Sequence, residues 1–285
     1  MTNNNWQQQL QTNGFFKVSG LIPDDMIRDL QQKSAAVIAN CTDEHRASVK
    51  SNGTMCNLAK LPQFVDIFCY PPILDILKQA GGTDIRWTAG YLISKPAGGS
   101  PLFWHQDWWG WDDAISYDET AVQLFVMIYL SETEAGNGCL KAIPGSHLKQ
   151  HELHDLKAAH SDDLIKVKNP DDPAFGRHKD EMPVPATPGD IIVGDARILH
   201  AAEGNYTDHE RPLLTLWYTP NYNKLPEPIQ RQYLDAVISE ADDIIDGSNS
   251  TILPHQWPAE QRDKITPILP NYKGDVAPLN WNRNP

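Results

Sequence analysis

The chain has 285 residues, of which 40% are hydrophobic, and this composition is typical of a folded globular protein. Its formal net charge is −13, because 37 acidic residues outnumber 24 basic ones, which argues against binding to nucleic acid or to an anionic membrane surface. The four cysteines form no CxxC pair, so reduced thiols are expected. With no secretory pattern and no apolar run long enough for a membrane helix, we expect a cytoplasmic protein with no membrane partner.

Two helices are predicted before the middle of the chain. The first begins at Pro23, and residues 71–82 form the second, with proline at its start and a glycine pair at its end. The apolar side of the first helix is expected to comprise Met26, Ile27, Leu30, Ala35, Ala36 and Ile38. These helices lie outside the part of the chain where we expect the core.

From residue 86 the pattern changes to short β-rich runs separated by Gly, Pro, Asn and Asp. The runs are residues 86–94, 121–130, 139–143, 190–194 and 213–219. Many short strands without intervening helices indicate a barrel, sandwich or jelly roll. We therefore predict one domain over residues 1–285, mainly β with helical decoration, whose β core spans about residues 86–220.

Two stretches depart from this β pattern. Residues 146–186 are long, charged and poor in strands, which is typical of a functional loop, and we predict a lid there. Residues 221–285 form a predicted helical extension. Its helix begins near Pro228 and buries Tyr233, Leu234, Val237 and Ile238.

The most aromatic stretch, FWHQDWWGW at residues 103–111, contains a histidine and an aspartate two positions apart. On a strand, His105 and Asp107 would project from the same face and could bind one metal ion. Two other His-x-Asp pairs lie in the charged 146–186 stretch, where exposure to solvent explains them. Because a carboxylate among large apolar side chains is costly unless it is paired, only the pair at His105 requires a partner.

His200, at the end of the run 188–202, is a suitable third ligand. Two histidines and one carboxylate form the facial triad of non-haem Fe(II) oxygenases, which leaves metal positions open. Arg211 follows, with a planar guanidinium suited to gripping a carboxylate, and on a strand Thr215 would share its face. Taken singly, His200 is also compatible with a hydrogen-bonded core histidine, and Arg211 with an ion pair at the rim.

These residues lie in five ordered segments: LISKPAGG (92–99), WHQD (104–107), GNGCLKAIPGSH (136–147), PGDIIVGDARILHAA (188–202) and ERP (210–212). Together the segments resemble the phytanoyl-CoA dioxygenase family of Fe(II)- and 2-oxoglutarate-dependent oxygenases. The resemblance implies a double-stranded β-helix, a cupin-like jelly roll, with Fe(II) held by His105, Asp107 and His200. It also implies that Arg211 holds the distal carboxylate of 2-oxoglutarate, and that Lys95 and Gln123 contact its other end. Strand alternation adds Thr215 to the residues expected near the cosubstrate.

The reaction implied by the resemblance consumes 2-oxoglutarate and O2 and releases succinate and CO2. Its usual outcome is hydroxylation of a C–H bond, here of a small-molecule metabolite. Halogenating relatives replace the carboxylate ligand with a small residue, so the presence of Asp107 argues against halogenation. Desaturation, epimerisation and ring formation stay open.

The substrate pocket is predicted less directly. Trp109 and Trp111 would face the iron with Asp107 if the strand continues past Gly110, and Tyr91 is a third candidate contact. Aromatic faces attract cations, so a cationic substrate group is one hypothesis. Two other classes of function also remain: a cupin-like zinc hydrolase or isomerase that uses the same three ligands, and a binding protein without turnover.

Overall fold

The computed structural model describes residues 5–50, 53–156, 161–238 and 253–283. Ten strands lie in these ranges: β1 Phe15–Val18, β2 Thr54–Asn57, β3 Arg86–Lys95, β4 Leu102–His105, β5 Leu124–Tyr129, β6 Leu140–Ala142, β7 Met182–Val184, β8 Ile191–Asp195, β9 His200–Ala202 and β10 Arg211–Thr219. The five predicted β-rich runs overlap β3, β5, β6, β8 and β10. The β segments were therefore predicted correctly, with β1, β2, β4, β7 and β9 in addition.

The strands form two antiparallel sheets. One has six strands in the order β1-β8-β5-β10-β3-β2, and the other has four in the order β4-β9-β6-β7. The two sheets face each other across one apolar layer, in which Phe125 and Tyr129 of β5 pack with Leu140 and Ala142 of β6. This arrangement is the predicted jelly roll, in which neighbours in a sheet are often distant in the sequence.

Strand β5 is apolar on both faces because both faces are covered. Phe125, Met127 and Tyr129 point between the sheets. The alternate residues Val126 and Ile128 belong to a larger core cluster between the six-stranded sheet and the helices. The helical decoration thus covers the outer face of this sheet, while its inner face is left to line the space between the sheets.

The helices are α1 Trp6–Asn13, α2 Asp24–Ile38, α3 Asp43–Ser48, α4 Val65–Phe68, α5 Pro71–Gln79, α6 Asp162–Ile165, α7 Glu227–Ile238 and α8 Ala259–Ile265. The two predicted helices correspond to α2 and α5. The expected apolar side of α2 was partly wrong, because Ala35 and Ala36 are exposed whereas Ser34 and Val37 are buried. The buried stripe follows positions 27, 30, 34, 37 and 38, which is the 3.6-residue period of a helix.

The predicted lid region, 146–186, packs partly against β4 within its described residues. Leu164 and Ala174 contact the ring of Phe103, and the indole of Trp104 donates a hydrogen bond to the carbonyl of Gly176. The end of the region is not a loop, because β7 pairs with β6 as an edge strand. Closure of a lid stays a prediction.

The C-terminal extension is only partly helical. Helix α7 buries Ile229, Tyr233 and Val237, whereas Leu234 is half-buried; Ile238, also predicted to be buried, lies outside the side chains that the structure describes. Beyond α8, residues 270–283 run without a helix along the core. Among the described residues, no helix combines the length and apolarity needed to cross a bilayer.

A buried ion pair holds the segment between β4 and β5. Arg197 and Asp195 are each 1% exposed, and the guanidinium donates to both carboxylate oxygens of Asp195 at 3.0 and 2.7 Å. The same guanidinium donates to the carbonyls of Ser116, Asp118 and Thr120. Five donated hydrogen bonds therefore tie residues 116–120 to the end of β8, next to the loop that leads to β9.

We expect Asp195→Asn to lower the free energy of unfolding by about 3–5 kcal/mol, because it leaves the Arg197 charge buried without its partner. The matched control is Asp75→Asn, which breaks an exposed pair with Lys78 and should cost less than about 1 kcal/mol. Urea denaturation of both variants measures the difference. Equal losses of free energy of unfolding in the two variants would show that the buried pair stabilises the fold no more than the exposed pair does.

Candidate active site

Two histidines face each other across neighbouring strands of the smaller sheet. His105 ends β4 and His200 begins β9, and the register of these strands makes the two residues direct partners. Their ring centroids lie 4.2 Å apart. The Nδ1 of His105 donates to the carbonyl of Phe103 at 2.9 Å, and that of His200 donates to the carbonyl of Ile198 at 3.1 Å. Because each Nδ1 carries the proton, each Nε2 presents its lone pair to the space between the sheets.

Asp107 does not lie on the strand, contrary to the expectation from His-x-Asp spacing. Strand β4 ends at His105, and the backbone N–H of Asp107 donates to the carbonyl of Ala196 at 2.8 Å. The carboxylate nevertheless returns to the histidines. Its Oδ1 lies 3.6 Å from Nε2 of His105, and its Oδ2 lies 3.7 Å from Nε2 of His200. A loop held by β8–β9 residues, and not strand alternation, thus completes the group.

One ligand atom from each of these three residues falls within 4.8 Å of the other two. Metal bonds of roughly 2 Å require donor atoms about 3–4 Å apart, so this group fits an ion with only small side-chain rotations. The indole of Trp217 donates to Oδ2 of Asp107 at 3.0 Å and so orients the carboxylate. Hydrogen bonds of this kind to metal ligands fix their geometry. Trp217 was assigned no role in the sequence analysis.

Two further groups of potential ligands lie in the described residues: Cys41, His45 and Cys56, and His151, His178 and Asp180. In each group a histidine nitrogen accepts a backbone N–H, from Met55 to Nε2 of His45 and from Leu153 to Nδ1 of His151. The other nitrogen must then carry the proton in the neutral ring, which opposes metal binding. The group around His105 has the opposite and suitable tautomers.

Arg211 is 4% exposed at the start of β10, deep in the layer between the sheets. Its guanidinium carbon lies 5.4 Å from the ring centroid of Tyr129. Among the described residues, no hydrogen-bond partner contacts its Nε or Nη1, nor the hydroxyl of Thr215 on the same face. Burial lowers the pKa of Arg211 below its ordinary range. A buried cation with unused donors, beside an unused hydroxyl, is suited to a carboxylate.

Gly138 gives that carboxylate site its shape. It has a φ of +90°, and a β-carbon there would lie 3.3 Å from Nε and Nη2 of Arg211. Any other residue would combine a strained backbone with crowding at the guanidinium. The segment 136–147, which contains this glycine, thus supports Arg211 instead of supplying a ligand of its own.

Lys95 lies directly opposite Arg211 in the β3–β10 register. Its ammonium donates to the carbonyls of Ser100 and Glu203 at 2.7 and 2.8 Å. Burial, and then the charge of Arg211, lower the pKa of Lys95 well below its ordinary value. The expectation that Lys95 contacts the end of the cosubstrate remote from Arg211 therefore disagrees with the geometry, because Lys95 belongs to the Arg211 end.

Gln123 precedes β5 and is buried at 5% exposure. Its amide nitrogen donates to the hydroxyl of Thr88 at 3.3 Å, while its Oε1 has no partner among the described residues. The unused atom is an acceptor, so contact with a carboxylate requires the amide to turn over. Its role stays a prediction.

The predicted substrate contacts differ in their surroundings. The ring of Tyr91 packs edge-on against the ring of Trp217, with 5.9 Å between their centroids, and Trp217 in turn donates a hydrogen bond to Asp107. Trp109 packs on Tyr233 and Trp281 at 5.4 and 5.1 Å, because no strand extends past His105 to alternate it toward the metal group. Trp111 joins the same cluster. The expected alternation was wrong, and roles in substrate binding stay predictions.

Two cationic side chains near Asp107 were missed by sequence reasoning. The ammonium of Lys50 lies 5.2 Å from the ring centroid of Phe103. Burial lowers the pKa of Lys50 from 10.5 to about 8, although Asp107 opposes this shift. Burial also lowers the pKa of Arg283, again against the effect of Asp107. Neither residue has a local sequence pattern, since each reaches the site from a distant segment.

The model of the phytanoyl-CoA dioxygenase (PhyH) family matches residues 10–213. A probable alpha-ketoglutarate-dependent hypophosphite dioxygenase from Stutzerimonas stutzeri is 27% identical over 148 residues, which are 51% of this chain and 49% of that protein. An ectoine dioxygenase from Sphingopyxis alaskensis is 27% identical over 170 residues, 55% of this chain and 53% of that protein. The chain spans about half the length of the curated relatives it matches.

Among solved structures, a non-haem alpha-ketoglutarate-dependent carbocyclase from nogalamycin biosynthesis superimposes with a TM-score of 0.58 at 21% identity. The match covers 76% of this chain and 83% of that one. At this identity the likeness concerns the fold, and it confirms the jelly-roll core.

We expect Lys50→Met to raise the free energy of unfolding of the metal-free protein at pH 7, and we expect this gain to shrink by about 1–3 kcal/mol by pH 10.5. The lysine's pKa is lower in the folded protein, so the unfolded chain holds more protons between about pH 8 and 10.5. The wild type therefore gains stability as pH rises through this window, whereas below it the full cost of the buried charge remains.

Urea denaturation at several pH values measures this effect. Lys78→Met, at an exposed lysine on α5, should show a difference from wild type that does not change with pH. A pH-independent difference for Lys50→Met as well would show that its ammonium is not buried at a cost.

Proposed function

Because the chain belongs to the phytanoyl-CoA dioxygenase family, we propose that it is an Fe(II)- and 2-oxoglutarate-dependent oxygenase that hydroxylates a C–H bond of a small-molecule substrate. The observation that carries this proposal is the convergence of Nε2 of His105 and His200 on the carboxylate of Asp107, within the same layer as the buried guanidinium of Arg211. A metal ligand set and a carboxylate anchor are the two parts that a chelating keto acid requires.

In this proposal His105, Asp107 and His200 hold Fe(II). The chain prepares them before any metal arrives, because the Phe103 and Ile198 carbonyls fix the tautomers and Trp217 fixes the carboxylate. Preorganised ligands reduce the free-energy cost of binding. Both histidines are at most 5% exposed, so the protein also limits access of bulk water to the ion.

The cosubstrate's distal carboxylate is assigned to Arg211 and Thr215. Binding there would satisfy the unused donors of a buried guanidinium and a buried hydroxyl, which are costly to leave unpaired. The ammonium of Lys95 donates hydrogen bonds to the Ser100 and Glu203 carbonyls, and in this way Lys95 positions the segments around Arg211. Gln123, close to Thr88 and the Trp217 end of β10, is assigned to the metal end of the keto acid.

With Fe(II) and 2-oxoglutarate bound, the site would supply the activation of O2 that oxidises a substrate C–H bond and releases succinate and CO2. The chain's own contribution is to orient the substrate and to exclude water. Phe103 and Tyr91 form apolar walls on two sides of the metal group, at His105 and at Trp217. Because Asp107 occupies the carboxylate position, the ligand set disfavours halogenation. We propose hydroxylation as the outcome, with desaturation, epimerisation and ring formation as the alternatives.

Anaerobic addition of Fe(II) and then 2-oxoglutarate to the purified protein should produce the visible charge-transfer band of an iron–keto acid chelate. His105→Ala should abolish iron binding and the band, and Arg211→Ala should weaken 2-oxoglutarate binding about tenfold or more, because it removes a charge-assisted contact. His209→Ala and Arg231→Ala, at residues remote from the group, serve as matched controls. Iron binding without a band would contradict the cosubstrate assignment, and a preference for zinc with hydrolytic activity would favour the cupin-like hydrolase.

Trp217→Phe should weaken Fe(II) affinity about tenfold, because Asp107 loses the hydrogen bond that orients its carboxylate. Equilibrium binding of Fe(II) or Co(II) measures this without turnover. The matched control is Trp257→Phe, which loses one indole hydrogen bond, to the carbonyl of Ala59, in another part of the core. An unchanged affinity in Trp217→Phe would remove Trp217 from the metal site.

A further inference from the structure

Lys50 carries a charge that the proposed chemistry does not use. Its ammonium contacts the ring of Phe103, and among the described residues no carboxylate lies within ion-pair distance of it. Burying an ammonium without a counter-charge is costly, and this cost appears here as the lowered pKa of Lys50. A cation that the fold keeps at such a cost, beside a reactive centre, is suited to a ligand of opposite charge.

The side chain lies on the metal side of the smaller sheet. Phe103 and His105 are two positions apart on β4, so they share a face, and their ring centroids are 5.4 Å apart. Lys50 covers Phe103 on this face. The N–H of Gly53 donates to the carbonyl of Lys50 at 3.1 Å, and a β-carbon on Gly53 would collide with the carbonyl of Ser94 on β3.

Arg283 reaches the same carboxylate from the other end of the chain. The backbone N–H of Asn282 donates to the carbonyl of Trp109 at 2.8 Å, which docks the C-terminal segment beside the loop of Asp107. The guanidinium of Arg283 stacks on Trp281 at 5.1 Å, and Trp281 packs on Trp109. Asp107 favours the charged forms of both Lys50 and Arg283, while these two cations disfavour each other. The charge of Asp107 therefore acts on both cations, although, among the described residues, neither cation forms an ion pair with it.

These contacts change the expectation for the substrate. Two aromatic rings near the metal group already carry cations of the protein itself, Lys50 on Phe103 and Arg283 on Trp281. Arg211, in contrast, packs on Tyr129 of the six-stranded sheet. Arg211, which is assigned to 2-oxoglutarate, and the two cations near Asp107, Lys50 and Arg283, therefore lie in different parts of the site.

We propose that Lys50, assisted by Arg283, binds an oxyanion group of the substrate, a carboxylate or a phosphorus oxyanion, beside the metal group and apart from Arg211. The inference rests on the proposed function, because it assigns the charge of that reaction's substrate. Lys50 is the principal contact, since its ammonium lies on the ring of Phe103, which packs against His105. Arg283 adds a second positive charge from the C-terminal segment.

Isothermal titration calorimetry of the Ni(II)- and 2-oxoglutarate-loaded protein tests this inference without turnover. The probes are methylphosphonate, propionate and the neutral propionamide. We expect at least one anion to bind, the amide to fail, and Lys50→Met to weaken the anion tenfold or more while Lys50→Arg retains most of the affinity. Arg283→Gln should cause a smaller loss. The matched control Lys78→Met should bind like the wild type, and the two anions distinguish a phosphorus oxyanion from a carboxylate.

Several results would overturn the proposal. These are equal binding of the anion to wild type and Lys50→Met, binding of propionamide as tightly as propionate, and no binding of either anion to wild type at millimolar concentrations. The 2-oxoglutarate affinity of Lys50→Met is measured in parallel. If it falls as much as that of Arg211→Ala, Lys50 belongs to the cosubstrate site and the proposal is wrong.

Repeating the titration on metal-free protein separates this inference from the proposed function. If the charge-transfer band is absent but the anion still binds in a Lys50-dependent manner, the anion site stands and the iron chemistry fails. If the band is present but Lys50→Met has no effect on the anion, the oxygenase proposal stands and the anion site fails.

Discussion

The site depends on one constraint: the pairing of β4 with β9 that sets His105 opposite His200. In both cases the imidazole bonds the carbonyl two residues earlier, so the local backbone decides which ring nitrogen is left for a metal. A one-residue slip would turn both rings to the opposite face of the sheet. Asp107 can then come from a loop, because two fixed rings already define where the third donor must point.

Charge near this group runs against the charge of the whole chain. The net charge is −13, yet Lys50 and Arg283 lie near Asp107 and Arg211 lies in the layer between the sheets. The excess of acidic residues argues against nucleic acid as a partner, but it says little about the interior of the site, where burial strengthens each interaction. In our proposals the ligands are selected by a few cationic side chains and not by the net charge.

Much of the fold could be predicted because its signals are local. Strands β5, β8 and β10 read as apolar runs between turns, and α5 has proline and glycine at its ends. The candidate triad could be predicted from the types of its side chains, and the five segments that resemble the family follow one another in the expected order along the chain. The path of the loop that brings Asp107 back to the histidines could not be predicted, because it depends on a hydrogen bond to Ala196, nearly ninety residues away. For the same reason the positions of Lys50 and Arg283 were not accessible to pattern reasoning.

The pairing of β4 with β9 also has a consequence for how the protein acquires its metal. Strands that far apart in sequence close a long loop when they meet, and this entropy cost delays their contact relative to local structure. Until they meet, the two imidazoles are separate, weak ligands. A metal ion therefore cannot template the early steps of folding; it binds a scaffold that the chain has already assembled, and its loss should leave the jelly roll in place.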